Sequence, residues 1–436
     1  MQGFLVTGFF LSAVLTGCSS NNGTAPSSSS NSPTSTTAEK STEKVQLNIL
    51  WWGSQSRHDL TKKVIDLFEQ KHPNIQISTE FSGFDGYYDK LSVRVSGGSA
   101  PDIIQMSVAY VNDYVNRQVL LDLGDVGINL NDVDKGTLST GQLNGKLYAL
   151  PTGIATNAYI YDPAMLEKAG VKLPEYMTWD DFAKITKQVS DKLGNGIFGA
   201  PDESGTWATL EFFLRQKGMA RFKDGKLGFT KEALGDYFKY WSDLRKSGAV
   251  SSAAITASIA TAPLEKNPLI TGKTPFTFLD SNQYAALANL AKRPLAMTFI
   301  PKTDGGQEGS FLTPPMYWSI NSKSKHPKEA AELLDFMTND PEACKILGID
   351  RGVPISSKIR NLLEGQANDL EKKQYEFVDK ISKIAPPINV IQPNGAGEVR
   401  NLFAATAQEV QFDKKTPEQA ANEFVDKADT ILAKSK

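Results

Sequence analysis

The sequence predicts an α/β protein of two doubly wound lobes joined by a hinge, with a cleft between them, and three observations carry that prediction. From Val45 the chain alternates strand-like and helix-like segments in βαβαβ order, the pattern of a parallel sheet wrapped by crossover helices. At 436 residues it exceeds what one hydrophobic core usually serves. Near Pro151 and Gly153 the pattern breaks into short strand-like pieces, "NGKLYALPTGIATNAYIYDPAMLEKAGV", read as the crossing from one lobe to the other.

The elements follow in order. Residues 45–52 read as a strand, because Val45, Leu47 and Ile49 alternate with polar residues before Trp51 and Trp52. Residues 59–71 read as a helix with Leu60, Val64, Leu67 and Phe68 on one face, stopped by Pro73. Ile75, Ile77, Thr79 and Phe81 alternate as a second strand; "DGYYDKLSVRVSGG" is a helix ended by Gly97-Gly98, and "PDIIQMS" a short buried strand. Thr178 opens the helix "DDFAKITKQVSDKLG" with a capping box. The helix-rich middle includes "KEALGDYFKYWSDLRKSG", after which "KTPFTFLDSNQ" and "LAMTFIP" return as strands. "SINSKSKHPKEAAELLDFM" is strand, turn and helix, and Thr416 caps a final amphipathic helix with Pro417 next.

The N-terminus reads differently. The apolar run 4–15 is too short to span a bilayer and has the length of a signal-peptide core. It ends in Leu15-Thr16-Gly17-Cys18, which resembles the bacterial lipobox, although no Lys or Arg precedes the run. Residues 1–17 are therefore expected to be a lipoprotein signal peptide, with Cys18 lipidated and the body held at the outer face of the cell membrane. Residues 18–44 are rich in Ser, Thr, Asn and Pro and cannot bury a core. As a flexible tether they would reach roughly 28 Å. Cys344 is the one other cysteine, so no disulfide is expected within the body.

Catalytic and cofactor chemistry is sparse. A net charge of -2 gives no field to gather nucleic acid, and no basic cluster is present. Of the three histidines, His72 and His326 precede prolines at helix boundaries, and no nucleophile-elbow sequence supports a triad built on His58. The stretch "GNGIFG" from Gly194 matches GxGxxG but follows a helix rather than a strand, so it reads as a helix C-cap and turn. "DVDKG" fails the spacing of a calcium loop. No cofactor and no metal is expected.

What the sequence does offer is aromatic residues beside polar ones at strand ends and early helical turns: Trp51, Trp52, Phe84, Tyr87, Tyr88, Tyr110, Trp207, Tyr284 and Trp318. A pyranose packs its C–H face on an aromatic plane, and its hydroxyls take planar, multivalent hydrogen-bonding partners. Open α/β sheets bind ligands beyond the carboxyl ends of their strands. By strand phase Trp51 belongs to the core and Trp52 to the crevice. Trp179 and Trp241 read as core, whereas spacing leaves Trp207 and Trp318 open.

In order and spacing, "FEQKHPNIQISTEF", "APDIIQM", "GKLYALPTG", "YDPAMLEKAGV", "TWDDFAKI", "SKSKHPKEAAELLDFM" and "RGVPIS" resemble the extracellular solute-binding lipoproteins of ABC sugar importers, the maltose-binding-protein-like family. The resemblance spans Val45 to the C-terminus. It implies a periplasmic-binding-protein fold, lobe closure on an oligosaccharide, delivery to membrane permease subunits, a monomer and no catalysis. It also implies the division into 45–153 plus about 316–354 as lobe one and 154–315 plus about 355–436 as lobe two.

"WWGSQSRHDLTKKVIDLFE" and "SNQY" further resemble the subgroup associated with pectin-derived, rhamnogalacturonan-type oligosaccharides. Ser107 stands where the resemblance leads one to expect an acidic residue, and Phe84 where it leads one to expect Trp. The expected ligand-binding residues are Trp52, Gln55, Arg57, Phe84 and Tyr87 from lobe one and Trp207, Asp280 and Asn282 from lobe two, with Trp318 and Arg351 near the interface. Arg57 is expected to grip a uronate carboxylate, the other reading being a surface arginine that starts a helix. Rival functions are a secreted carbohydrate-active enzyme, which needs two carboxylates flanking the bond, and the same fold binding a neutral oligosaccharide, glycerol phosphate or an iron complex.

Overall fold

The computed structural model describes residues 44–133, 135–260, 262–385 and 392–434. The expected signal peptide, the lipidation at Cys18 and the tether lie outside the described residues.

Strand β1 (Val45–Trp52), helix α1 (Gln55–Lys71), strand β2 (Ile75–Ser82), helix α2 (Tyr87–Ser96) and strand β3 (Ile103–Met106) realise the βαβαβ order. β1 lies between β2 and β3 and is parallel to both. The sheet is completed by Tyr317–Ile320 and Leu150–Pro151, each joined antiparallel. Successive residues of β1 serve opposite faces, as strand geometry requires. Leu47, Ile49 and Trp51 pack with Val64 and Phe68 of α1 and with Leu333 and Leu334 of the helix Pro327–Asn339. Leu50 and Trp52 pack on the other side with Tyr87 and Leu91 of α2 and with Ile104 and Met106 of β3. Both faces of this sheet are covered, as in doubly wound folds.

α1 begins at Gln55, four residues before the expected start, with Ser54 at its N-cap position. The polar run Gln55-Ser56-Arg57 carries no apolar stripe to mark it as helix, and nothing local shows that Arg57 and His58 are buried.

A second sheet sets Asn157–Tyr161 between Phe276–Asp280 and Ala296–Thr298, both pairings antiparallel. Tyr159 and Phe276 meet Phe182 of helix Trp179–Leu193 and share one core with Phe238 and Trp241 of helix Lys231–Ser247, Phe403 of helix Ala396–Gln411 and Phe424 of helix Pro417–Lys434. Trp179 and Trp241 both lie in this core, as spacing indicates. Gly194, at φ +53, ends helix Trp179–Leu193, so the GxGxxG match is a turn.

The chain crosses between the two sheets at closely packed backbone. Ile154 pairs with Val353 and Ala155 with Thr313. A Cβ on Gly153 would lie 2.4 Å from the Arg351 carbonyl oxygen, and Gly352 adopts φ +104. No larger residue fits at either point without moving main chain.

Candidate functional site

A cleft of about 1660 Å³ opens where the carboxyl ends of β1 and β3 face the second sheet. One wall is the tip of β1 (Trp52, Gly53), the first turn of α1 (Ser54, Gln55, Arg57, His58), the loop carrying Phe84 and Asp85, and the start of helix α3 (Val108–Asn116). The facing wall is the start of helix Trp207–Gln216, the segment after it with Arg221 and Phe222, the end of strand Phe276–Asp280 with Asn282, and Arg400 of helix Ala396–Gln411. Thr313–Met316 and Asp350 line it from the crossing segments.

The expected residues Trp52, Gln55, Arg57, Phe84, Trp207, Asp280 and Asn282 all line this cleft. Trp52 is held edge-on by Tyr87 and Phe84, with ring centroids 4.9 and 5.4 Å away. Gln55 donates to Asp59 at 2.8 Å. Arg57 is buried: Nε donates to Asp350 Oδ2 at 2.6 Å, and Nη2 to the Asp350 carbonyl at 3.0 Å. That carbonyl also accepts from Asn282 Nδ2 at 2.5 Å, so Asp350 joins the two walls. The guanidinium expected to grip a ligand carboxylate already holds one of the protein's own.

Asp280 accepts from Asn157 Nδ2 at 2.6 Å. Burial raises its proton affinity, opposed by the nearby positive charge of Arg57 and by the Asn157 bond. Trp207 packs against Phe403 with centroids 5.0 Å apart, and the Arg221 guanidinium stands 5.3 Å over its ring. Arg221 in turn pairs with Glu211, which Arg215 approaches at 3.8 Å. The indole N–H of Trp207 and the Oδ1 of Asn282 are buried without a hydrogen-bond partner. Both residues belong to the lining.

Tyr87, Trp318 and Arg351 do not line the cleft. Tyr87 is fully buried and donates through its hydroxyl to the Gln105 carbonyl at 2.8 Å, with the Leu50 carbonyl at 3.2 Å, which ties β1 to β3. Trp318 sits in the core of the five-stranded sheet because its strand is buried throughout. Arg351 stacks 5.3 Å over Trp318 and donates to Thr61 Oγ1 at 2.8 Å. Burial, with Arg57 next, pushes its pKa down to about 9. Trp51 is core as its phase indicates, donating to His58 Nδ1 at 3.0 Å.

Sequence reasoning missed Arg221, Glu211, Gln392 and Arg400, all in the lining. The available signal was "NGAGEVR". Gly397 permits the helix to touch Tyr110, since a Cβ there would lie 2.5 Å from the ring, and one further turn brings Arg400 to the cleft.

Among the described residues no helix is long and apolar enough to cross a membrane, and no His, Cys, Asp and Glu cluster could hold a metal. The chain matches the model of the bacterial extracellular solute-binding protein family over residues 63–369. It is 25% identical over 250 residues to the arabinooligosaccharide-binding protein of Bacillus subtilis (strain 168), covering 55% of this chain and 53% of that one. An extracellular solute-binding protein family 1 structure from Alicyclobacillus acidocaldarius shares 34% identity and a TM-score of 0.64, covering 89% of this chain and 99% of that one. A periplasmic oligogalacturonide binding protein from Yersinia enterocolitica, in complex with saturated digalacturonic acid, is alike in fold, with a TM-score of 0.81 at 23% identity over 90% and 100% of the two chains. With a family match across most of the folded body and a cleft set between its two sheets, this chain belongs to the bacterial extracellular solute-binding proteins.

Proposed function

We propose that the protein captures an oligosaccharide in this cleft by closing one lobe on the other and passes it to the permease of an ABC importer without chemical change. The lobes are 45–153 with about 316–354, and 154–315 with about 355–436. The ligand is a pectin-derived acidic oligosaccharide, and Cys18 carries the lipid that keeps the protein at the membrane. One observation carries the sugar reading: aromatic rings share the cleft with polar side chains, Trp52, Phe84 and Phe222 with Gln55, Asp280, Asn282 and Arg400, the mixture a pyranose and its hydroxyls need. Ligand contacts on both walls favour the closed state by their differential affinity. The acidic class is supported by the arginines of the lining and by the Yersinia protein's digalacturonate complex.

A thermal-shift panel of digalacturonate, longer oligogalacturonides, rhamnogalacturonan fragments, arabino-oligosaccharides and glycerol phosphate tests the proposal, with calorimetry on the hits. A ligand at 100 times its Kd stabilises the folded protein by about 2.7 kcal/mol. The expected result is a shift with pectic acids and unchanged ligand after incubation. A shift with arabino-oligosaccharides alone moves the ligand to the neutral class, which the Bacillus relative's name supports. Cleavage products would overturn the binding-protein reading.

A further inference from the structure

We infer that Arg400 is the residue through which this cleft selects an acidic sugar, its guanidinium receiving a uronate carboxylate between the two aromatic-lined walls. The inference rests on the oligosaccharide reading and adds to it the group that decides ligand charge.

Most cations of the lining are already engaged or solvated. Arg57 is committed to Asp350 through two hydrogen bonds. Arg221 and Arg215 share Glu211. Lys223 is exposed at the tip of a hairpin, where water already solvates it. Arg400 differs from all of these. It lines the cleft and is only partly exposed, and no carboxylate among the described residues pairs with it. Its contact is the face of Phe84, 5.0 Å from guanidinium to ring centroid.

No acceptor among the described residues takes the donors of that group. A guanidinium stacked on a ring keeps its five N–H donors in the plane, pointing outward, where a carboxylate can take two of them side by side. The surroundings favour an anion there. Burial disfavours the charged form of Arg400, and the nearby charge of Arg221 adds to that. Both effects are relieved when a negative group enters between the walls. Asp280 is the acid closest to supplying one internally, yet it is engaged with Asn157, and burial favours its neutral form. Tyr88 and Tyr110, on the lobe-one side, stay un-ionised at neutral pH because burial raises both.

Half-buried aromatic rings, Phe84 and Phe222, line the cleft with it. Phe403, one turn beyond Arg400 on the same helix, packs against Trp207, and Arg221 stands over that ring, so Trp207 backs this wall. A uronate carries its carboxylate on the ring edge while its C–H face is left for stacking. An aromatic plane with an unpaired guanidinium nearby therefore fits an acidic pyranose better than a neutral one.

Calorimetry with digalacturonate, its methyl ester and the neutral disaccharide galactobiose tests the inference on the full chain, for wild type, Arg400→Gln and Arg400→Lys. The expected pattern is a preference of wild type for the acid over its ester. Arg400→Gln should lose about 10- to 100-fold for the acid and under about threefold for galactobiose, with Arg400→Lys recovering part of the loss. Equal losses on acid and neutral sugar, or an acid affinity untouched by Arg400→Gln, would overturn it. If Arg400→Gln does not fold, as judged by circular dichroism, the acid-against-ester comparison on wild type decides alone: equal binding overturns the carboxylate role. Wild type binding galactobiose but not favouring the acid sinks this inference and keeps the sugar reading. Wild type binding neither these sugars nor any other oligosaccharide sinks both.

Discussion

The two walls of the cleft are built from similar residue types but use them differently. On the β1 side the polar groups are spent on the protein itself: Arg57 on Asp350, Gln55 on Asp59, and Trp52 among Phe84, Tyr87 and Tyr88. On the facing side the Trp207 N–H, Asn282 Oδ1 and the Arg400 guanidinium have no hydrogen-bond partner among the described residues. The first wall is a preformed scaffold, and the second carries most of the unused hydrogen-bonding capacity. A residue's type and its place at a strand tip therefore do not settle its role. What settles it is whether something distant in sequence has already claimed it.

The largest effect that could break this contrast is on Arg57. If its role is to hold Asp350, Arg57→Ala leaves a nearly buried carboxylate with only Arg351, 4.0 Å away, as its counter-charge, a loss toward the low end of about 3–5 kcal/mol in unfolding free energy. Chemical denaturation reads that loss. Affinity for acidic and neutral sugars should then fall together, because Asp350 also positions Asn282. A selective loss of the acidic ligand with stability intact would return Arg57 to the carboxylate role that its place after Gly53 first suggested.

A smaller effect separates the two open tryptophans. Trp207→Ala should weaken every oligosaccharide ligand by about 2 kcal/mol, near thirtyfold, because it removes a lining side chain that holds Arg221 and Phe403 in place. Trp318→Phe, in the core of the five-stranded sheet, should cost about 1–2 kcal/mol of stability and leave ligand affinity where it was. Calorimetry and denaturation on both variants check the pair; a loss of affinity in Trp318→Phe with none in Trp207→Ala would overturn the assignment.

How much of this was legible follows from which interactions are local. The βαβαβ order of 45–106 was readable because period-2 and period-3.6 patterns are written in neighbouring residues. The strand at Tyr317–Ile320 was readable too, but its antiparallel pairing with β3 was not, since that partner lies more than two hundred positions earlier. Nor could strand phase separate Trp51 from Trp52 cleanly. With both sheet faces covered, both rings are buried, and only the end of the strand brings Trp52 to the cleft. Arg400 lay beyond reach for a further reason. What distinguishes it is a missing partner, and a sequence shows which charges exist but not which remain unpaired.

The smallest effect concerns pH and again sorts the walls. His58 lines the cleft on the β1 side, yet its Nδ1 accepts from the Trp51 indole, a bond that requires the neutral ring. Burial lowers its pKa below the ordinary 6.5, and the charges of Arg57, Lys62 and Arg351 lower it further, against Asp59. A depressed histidine pKa means that the unfolded chain binds more protons than the folded one below about 6.5, so stability falls as pH drops through that value and levels off once the folded ring titrates. His58→Asn can keep an acceptor for Trp51 while removing the titration. Its melting temperature should change less than that of wild type between pH 7 and 5, with His72 and His326 common to both and cancelling in the difference. A pH profile unchanged by the substitution would show that His58 does not titrate with folding. Sugar affinity that tracked the His58 titration at constant stability would place it with the ligand-facing wall.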